Sequence, residues 1–303
     1  KQASAAHVTL GSLVDLHKAA RSLPAFPQAI KASSGDSYLS PFRGRGMEYD
    51  ESRPYQSGDD VRNLDWRVMA RTGKPHTKVF REERERPVFC MVDYRARMFF
   101  GTRGVFKHVL AAELASLAAW RAVLNGDRVG GVVFSDTVHH ELKPDRGRSA
   151  TLHLLRQLET AQDWELDSGN QTAGINAALA RLRRLARPGS MLMLFSDFHG
   201  LDASGEAHLS YLARHNALLL FYIYDPIEAR LPPPGRYHMV SGNQSWVIDT
   251  SDRDLTQAHH EHHQALRNKL QEMCRRNRSS FVPCATNEST QKIMQRALGG
   301  GAG

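Results

Sequence analysis

Hydrophobic positions follow two patterns along most of the chain: short continuous apolar runs, and longer stretches with apolar residues every three or four positions. Two of the runs, 87–93 (P-V-F-C-M-V-D) and 191–197 (M-L-M-L-F-S-D), end in an aspartate. Such runs are typical of parallel strands buried on both faces, and the stretches between them are typical of crossover helices. The pattern predicts an α/β domain, a three-layer doubly wound sheet that is mostly parallel, with helices on both faces.

The predicted elements alternate in this way from residue 88 onward. Strand 88–93 precedes a helix over 105–124, and an added edge strand at 138–142 follows strand 128–134. The later elements are helix 149–158, a helix capped by Thr172 with apolar residues Ile175, Leu179 and Leu182, strand 191–196, helix 205–215, strand 217–224, a hairpin of 237–240 with 246–249, helix 255–274, strand 280–284 and helix 289–298.

Residues before the first strand have a different character. Apolar positions predict a helix over 10–23 that begins after Thr9 and stops at Pro24. Residues 33–86 are rich in Gly, Arg and Asp, and they predict a small β-rich appendage with few apolar residues for a core of its own. We therefore expect residues 1–86, a helix and an appendage, to pack on an α/β domain of residues 87–303.

Within the appendage one short helix is predicted. Asp59 or Asp60 is placed at its N-cap, since an aspartate carboxylate accepts hydrogen bonds from the first free amides of a helix. The helix is expected to carry Leu64, Trp66 and Met69. Residues 76–85 are expected to be extended and to lead into the first strand of the α/β domain.

Composition limits the class of protein. The chain has 303 residues, 41% of them hydrophobic, which suffices for one large domain with an appendage. Its apolar runs are shorter than the roughly 18–20 residues that cross a bilayer, so no membrane span is expected. Three cysteines without a C-x-x-C pair suit a reducing compartment and predict a cytoplasmic location, although a chain that begins at Lys1 leaves a trimmed targeting segment open.

A formal net charge of +8 raises the hypothesis of nucleic-acid binding. Positive and negative residues are interleaved rather than blocked, however, and aromatic residues are scattered rather than set among arginines. A mixed solvated surface is therefore the favoured interpretation, and no nucleic acid is expected as a partner. An acidic protein partner remains an alternative.

Candidate chemistry is concentrated at the two strand-end aspartates, Asp93 and Asp197. Because the carboxyl ends of neighbouring parallel strands share one crevice, we expect them to face each other. Arg95 and Arg97 follow the first of them closely. Three interpretations are open: helix caps or ion pairs with these arginines, a metal-free partner-binding surface, or a cation site.

Other sequence motifs give weaker evidence of a chemical function. Neither a P-loop nor a G-x-S-x-G nucleophile elbow occurs in the sequence, so ATP hydrolysis is expected to belong to a partner. The run 259–263 (H-H-E-H-H) places His259 and His263 at i,i+4 spacing suited to a metal ion. Without a third ligand at a persuasive spacing, a solvent-facing helix is the favoured interpretation.

Several segments together resemble a known family. The run G-D-D-V-R-N-L-D-W-R-V-M-A-R-T-G at 58–73, the strand that ends at Asp93, F-G-T-R-G-V-F-K at 100–107 and G-D-R-V-G at 126–130 resemble domain-of-unknown-function family 58 over roughly 44–250. The resemblance implies a core of the von Willebrand factor A type and a link with MoxR-type AAA+ ATPases, sometimes beside other A-domain proteins. No chemical activity is established for the family, so the resemblance implies a non-enzymatic adaptor with a chaperone-like or assembly role.

The same resemblance bears on the strand-end aspartates. A-type domains bind a divalent cation through D-x-S-x-S, a later threonine and another aspartate, and Asp93, Thr172 and Asp197 stand at the matching positions. Arg95 and Arg97 replace the two serines. A guanidinium only donates hydrogen bonds, whereas Mg²⁺ needs oxygen ligands, so neither a metal nor another cofactor is expected. This edge of the sheet resembles an adhesion site that has lost its cation ligands, and it is predicted to bind a partner protein. Its residues are Asp93, Arg95, Arg97, Thr172 and Asp197.

Two rival functions stay open from the sequence. Asp93 and Asp197 could serve a metal-dependent hydrolase or nuclease, and the basic surface could bind nucleic acid. The family motif in the appendage is predicted to be structural, with Arg62, Asp65, Trp66 and Arg71 as anchors to the α/β domain. Its residues are Gly58, Asp59, Asp60, Arg62, Asp65, Trp66, Arg67 and Arg71.

Overall fold

The computed structural model describes residues 4–26, 47–82, 85–164, 173–241 and 244–299. The chain divides into two compact units, a larger one of residues 1–32 with 86–303 and a smaller one of residues 33–85. Two short helices, α1 (Leu10–Asp15) and α2 (His17–Ala20), belong to the larger unit. The packing predicted between the appendage and the α/β domain stays a prediction.

The smaller unit is a hairpin with helical turns in its connection. Strand β1 (Met47–Pro54) pairs antiparallel with β2 (His76–Glu82). Between them lie a 3₁₀ turn, Val61–Asn63, and helix α3 (Trp66–Thr72). The single helix predicted here was wrong, because Leu64 takes an extended conformation and Asp65 starts a new helix by accepting hydrogen bonds from the amides of Arg67 and Val68.

The larger unit is built on a six-stranded sheet. Its strands are β3 (Pro87–Asp93), β4 (Arg128–Phe134), β5 (His139–Arg146), β6 (Met191–Ser196), β7 (Ala217–Tyr224) and β10 (Ser280–Ala285). They lie in the order β10-β7-β6-β3-β4-β5, and all neighbours are parallel except β5. Counted from β3 along the chain this is the doubly wound order 3-2-1-4-5-6, whose switch point lies between β3 and β6.

Helices cover both faces of this sheet. They are α4 (Lys107–Leu124), α5 (Gly147–Thr160), α6 (Ala173–Leu185), α7 (Ala203–His215), α8 (Pro226–Ala229), α9 (Arg253–Arg276) and α10 (Thr290–Gly299), and a hairpin of β8 (Arg236–Ser241) and β9 (Gln244–Asp249) follows α8. Alternate residues of β3 enter different core clusters: Val88 and Val92 pack with α4 and α5, Met91 with α6 and α7. The predicted three-layer, doubly wound α/β fold is confirmed.

The N-terminal helices join the core beside α4. Leu13 and Ala20 are fully buried in the same cluster as the residues of α4. The predicted continuous helix over 10–23 is interrupted at Leu16, and Thr9 caps its first part as expected. Leu124, the last residue of α4, is 48% exposed.

Gly104 illustrates how tightly the loop before α4 packs. Its φ is +82°, and a β-carbon there would overlap the carbonyl of Thr286 and lie 2.9 Å from Cα of Asn287. We expect Gly104→Ala to lower the free energy of unfolding by about 2–4 kcal/mol, from a left-handed backbone and overpacking together. Gly189, at φ +86° with open space around it, is the matched control.

The measurement is urea unfolding of both variants. Gly189→Ala should lose only about 1–2 kcal/mol, the conformational cost alone. Equal losses in the two variants would contradict the close approach at Gly104.

Candidate functional site

Asp93 ends β3 at the switch point and is fully buried. Its carboxylate accepts hydrogen bonds from the backbone amide of Arg95 at 2.9 Å and from the hydroxyl of Ser196 at 2.6 Å. The guanidinium of Arg95 also donates to it, with Nη2 2.7 Å from Oδ2. Both oxygens of this carboxylate are therefore engaged by donors from the chain.

Arg95 bridges the two strand-end aspartates. The same Nη2 that contacts Asp93 lies 3.1 Å from Oδ1 of Asp197, and Nη1 donates to the carbonyl of His199 at 2.8 Å. The side chain is only 1% exposed, so these charge-assisted bonds lie in a medium that screens them weakly. Burial opposes the charge of Arg95, but the neighbouring carboxylates outweigh it and raise its pKa above the ordinary value.

Asp197 follows β6 and meets cations from several parts of the chain. Its Oδ2 lies 3.1 Å from Nζ of Lys107 and 3.6 Å from Nε of Arg97. Burial by itself would raise the pKa of Asp197, but Lys107 and the two arginines hold that pKa well below its usual range. This carboxylate is therefore ionised at neutral pH and has no proton to transfer.

Lys107 extends the network to α8. Its Nζ, fully buried at the start of α4, donates to Asp197 and, at 2.8 Å, to Glu228 of α8. Burial disfavours the ammonium, yet these two carboxylates raise the pKa of Lys107. Neither Lys107 nor Glu228 was predicted as a site residue, although Lys107 is the last residue of the family motif at 100–107.

The turn after β6 is shaped by the same residues. Ser196 accepts a hydrogen bond from the amide of Phe198 at 2.9 Å, and Asp197 accepts one from the amide of His199 at 3.0 Å. Phe198 takes a left-handed conformation, φ 52°, which is uncommon for a residue with a side chain. Its fully buried ring, in the core cluster beside α6 and α7, holds the strained turn in place.

A histidine next to Lys107 makes the larger unit sensitive to acid. His108 is fully buried and stacks on Phe99 with ring centroids 4.2 Å apart, and burial lowers its pKa from 6.5 to about 4. Because the unfolded chain takes up a proton near pH 6.5 and the folded one near 4, stability falls as the pH falls through this window. We expect a loss of about 2 kcal/mol from this group between pH 7 and pH 5.

Urea unfolding at both pH values tests this effect. His108→Gln cannot be protonated and should lose stability less steeply over that range, whereas His262→Gln, an exposed control, should behave like the unmodified protein. An unchanged pH dependence in His108→Gln would contradict the assignment.

The structure brings most of the predicted site residues together. Asp93, Arg95 and Asp197 form one buried network, with Arg97 at its rim, 37% exposed. The ion pairs with Arg95 and Arg97, one of the interpretations that the sequence left open, are present. Thr172 lies outside the described residues, so its predicted place at this edge stays a prediction.

The residues of the family motif lie in the smaller unit. Asp59 pairs with Arg53, its Oδ1 2.6 Å from Nη2, and Asp60 caps the 3₁₀ turn through the amide of Arg62. Asp65 caps α3 and accepts a hydrogen bond from Ser52 at 2.7 Å. These aspartates bind backbone amides and residues of β1, and the docking of the appendage through the motif stays a prediction.

The histidine run of α9 is less exposed than expected. His259 and His260 contact the carbonyls of Ile227 and Ala229 in α8, at 3.1 and 3.0 Å. His263 is only 8% exposed and packs against Tyr222 and Tyr224, so the solvent-facing interpretation was wrong for it. Within the described parts of the chain, no cluster of three or more His, Cys, Asp or Glu side chains could hold a metal ion.

The sequence places this chain in a family. Residues 51–278, about three quarters of the chain, match the family described as "Protein of unknown function DUF58". The chain belongs to this family. The DUF58 match begins within β1 and ends just after α9. At its C-terminal end it extends past the region 44–250 that the motifs indicated.

Three relatives of this DUF58 protein are uncharacterized proteins, two from strains of Mycobacterium tuberculosis and one from Mycobacterium bovis. Each is 32% identical over 196 residues, which are 63% of this chain. The chain spans 59% of the length of these relatives.

Three solved structures are similar to the DUF58 chain at lower identity. An aerotolerance-related membrane protein from Bacteroides fragilis is 15% identical with a TM-score of 0.44, over 71% of this chain and 99% of that one. BatB from Bacteroides thetaiotaomicron is 16% identical with a TM-score of 0.43, over 71% and 98%. A von Willebrand factor type A protein from Catenulispora acidiphila is 9% identical with a TM-score of 0.40, over 74% and 44%. At such TM-scores the likeness carries no argument about function.

Helices of the described residues offer no candidate membrane span, since none is both long and apolar enough.

Proposed function

We propose that this DUF58 protein is a non-catalytic interaction domain that works as an adaptor for a MoxR-type AAA+ ATPase in a chaperone-like or assembly role. The partnership comes from the family resemblance of the sequence, which also makes other A-domain proteins further partners. One structural observation supports an interaction role at the carboxyl edge of the sheet. Arg95 and Lys107 form ion pairs with the strand-end carboxylates Asp93 and Asp197, and one further guanidinium is partly exposed at the rim of this network.

That guanidinium belongs to Arg97. Its Nε is buried without a hydrogen-bond partner among the described residues, and its ion pair with Asp197 is long at 3.6 Å. Lys107 and Arg95 already form ion pairs with Asp197 at shorter distances, 3.1 Å each. The exposed part of Arg97 is therefore available to a carboxylate or carbonyl of a partner, and arginine is enriched among the residues that dominate protein interfaces.

The rival hydrolase or nuclease has less support from the same geometry. Metal-assisted hydrolysis needs carboxylate oxygens that ligate a cation and leave a position for water. The oxygens of Asp93 and Asp197 accept hydrogen bonds from Arg95, Ser196 and Lys107 instead. A cytoplasmic location is part of the proposal, and three free, buried cysteines support it.

Calorimetric titration of a MoxR-type ATPase from the same organism with this chain tests the proposal. Arg97→Glu should weaken binding at least tenfold, since it reverses a charge at the rim. Arg214→Glu is the matched control, because this exposed arginine ends α7 at the opposite edge of the sheet. Equal affinities for the two variants would place the interface elsewhere, and no binding by the unmodified chain would overturn the partnership.

A further inference from the structure

Several basic residues of the smaller unit have no ion-pair partner among the described residues. Asp59, Asp60 and Asp65 are engaged by Arg53, by backbone amides and by Ser52, as described above. Arg67, Arg71 and Lys78 form no ion pair with any described residue, and all three are exposed. Arg67 and Arg71 belong to the family motif, and Lys78 follows it in the chain.

These cations converge on one groove. Arg67 and Arg71 are one helical turn apart on α3, so they share a face of the helix, and Lys78 comes from the neighbouring strand β2. The groove has a volume of about 570 Å³, and its described lining is Asp65, Arg67, Val68, Arg71 and Lys78. Asp65 is the one acidic residue of this described lining, against three basic residues, so positive charge is in excess.

An exposed aromatic residue directly precedes Arg67, one of the lining residues of the groove, in the sequence. Trp66, the first residue of α3, is 63% exposed. Tryptophan and arginine are the residues most enriched at the energetic centres of protein interfaces, because each combines a large contact area with a fixed polar group. An indole this exposed, one residue before Arg67 in the chain, therefore indicates an interaction surface on the smaller unit.

We propose that this groove, lined by Arg67, Arg71 and Lys78, binds an acidic peptide segment of a partner protein. Two guanidinium forks one turn apart fit two carboxylates, which they bind in bidentate fashion, and Val68 offers an apolar contact between them. Nucleic acid fits less well, since three cations meet at one point rather than in a stripe that follows a phosphate backbone. The groove is in the smaller unit, so this proposal is independent of the one for the carboxyl edge.

Calorimetry on the full chain tests the proposal, with a synthetic peptide of six Glu and two Leu as the probe. The unmodified chain should bind it, more weakly as the salt concentration rises. Arg67→Glu with Arg71→Glu should weaken binding at least tenfold, and the milder Arg67→Gln with Arg71→Gln should weaken it as well. Arg62→Glu with Lys74→Glu, two exposed residues of the same unit outside the described lining, changes the net charge equally and should retain affinity.

Three outcomes would overturn the proposal. The first is an equal loss in the two charge-reversed variants, which would reduce the effect to net charge. The second is tighter binding of an oligothymidine strand than of the peptide, with the same dependence on Arg67 and Arg71, which would assign the groove to nucleic acid. The third is no binding of the peptide by the unmodified chain. A lower melting temperature of Arg67→Glu with Arg71→Glu than of the control would then assign these arginines to packing within the chain.

Discussion

Arg95→Ala is expected to lower the free energy of unfolding by about 3–5 kcal/mol, because it leaves two buried carboxylates short of their shared cation. Asp93 is fully buried and loses its only ion-pair partner among the described residues, while Asp197 keeps Lys107 and Arg97. The loss should therefore reflect mainly the uncompensated charge of Asp93. Urea unfolding at pH 7 is the measurement.

Two further variants make this expectation specific. Arg97→Ala removes a guanidinium of the same edge that is 37% exposed and 3.6 Å from its partner, so it should cost less than about 1 kcal/mol. Arg95→Ala combined with Asp93→Asn removes the orphaned charge and should recover part of the loss. Equal losses of unfolding free energy in Arg95→Ala and Arg97→Ala would mean that the bridge of Arg95 between Asp93 and Asp197 contributes little to stability.

Arg95→Ser with Arg97→Ser is expected to gain a site for Mg²⁺ that the unmodified protein lacks. Removal of both guanidinium groups leaves Asp93, Asp197 and Glu228 with Lys107 as their remaining cation, a surplus of negative charge that a divalent cation relieves. The two new hydroxyls and that of Ser196 add oxygen ligands of the kind Mg²⁺ prefers. A site with a dissociation constant near 1 mM would stabilise the variant by about 1.4 kcal/mol at 10 mM Mg²⁺.

Thermal unfolding with and without Mg²⁺ checks this gain, with calorimetric titration as the direct measurement. The unmodified protein should show no specific shift, because Arg95 already bridges the two carboxylates. Addition of Asp93→Asn to the double variant should abolish the effect. Tight one-to-one binding of Mg²⁺ by the unmodified protein, lost in Asp93→Ala, would mean that the arginines leave the edge in solution.

Strand positions were the most predictable feature of the fold. Strands β4, β6 and β7 have the bounds expected from their apolar runs, and β3 differs by one residue. A strand buried on both faces needs an unbroken apolar run, and that requirement is visible in the sequence without knowledge of its neighbours. The junction at Leu16 and the second cap at Asp65 were missed because competing caps differ by small energies that the surrounding packing decides.

Some contacts of the candidate site could likewise be predicted from the sequence, and others could not. Arg95 and Asp93 are two residues apart, so their pairing could be expected from the sequence alone. Lys107 is 90 residues from Asp197 and 121 from Glu228 in the chain, and no local pattern connects them. The burial of His263 was likewise missed, because it depends on the two tyrosines of β7 beneath α9.

By itself the sequence determined the strands of the doubly wound sheet and the aspartates at the ends of two of them, because each depends on residues close together in the chain. Only the tertiary structure decided that Lys107 and Glu228 complete the network, and that Asp60 and Asp65 cap helical turns while Arg62, Arg67 and Arg71 stay exposed. Charges act through space, so their partners are known only once the fold has brought distant segments together.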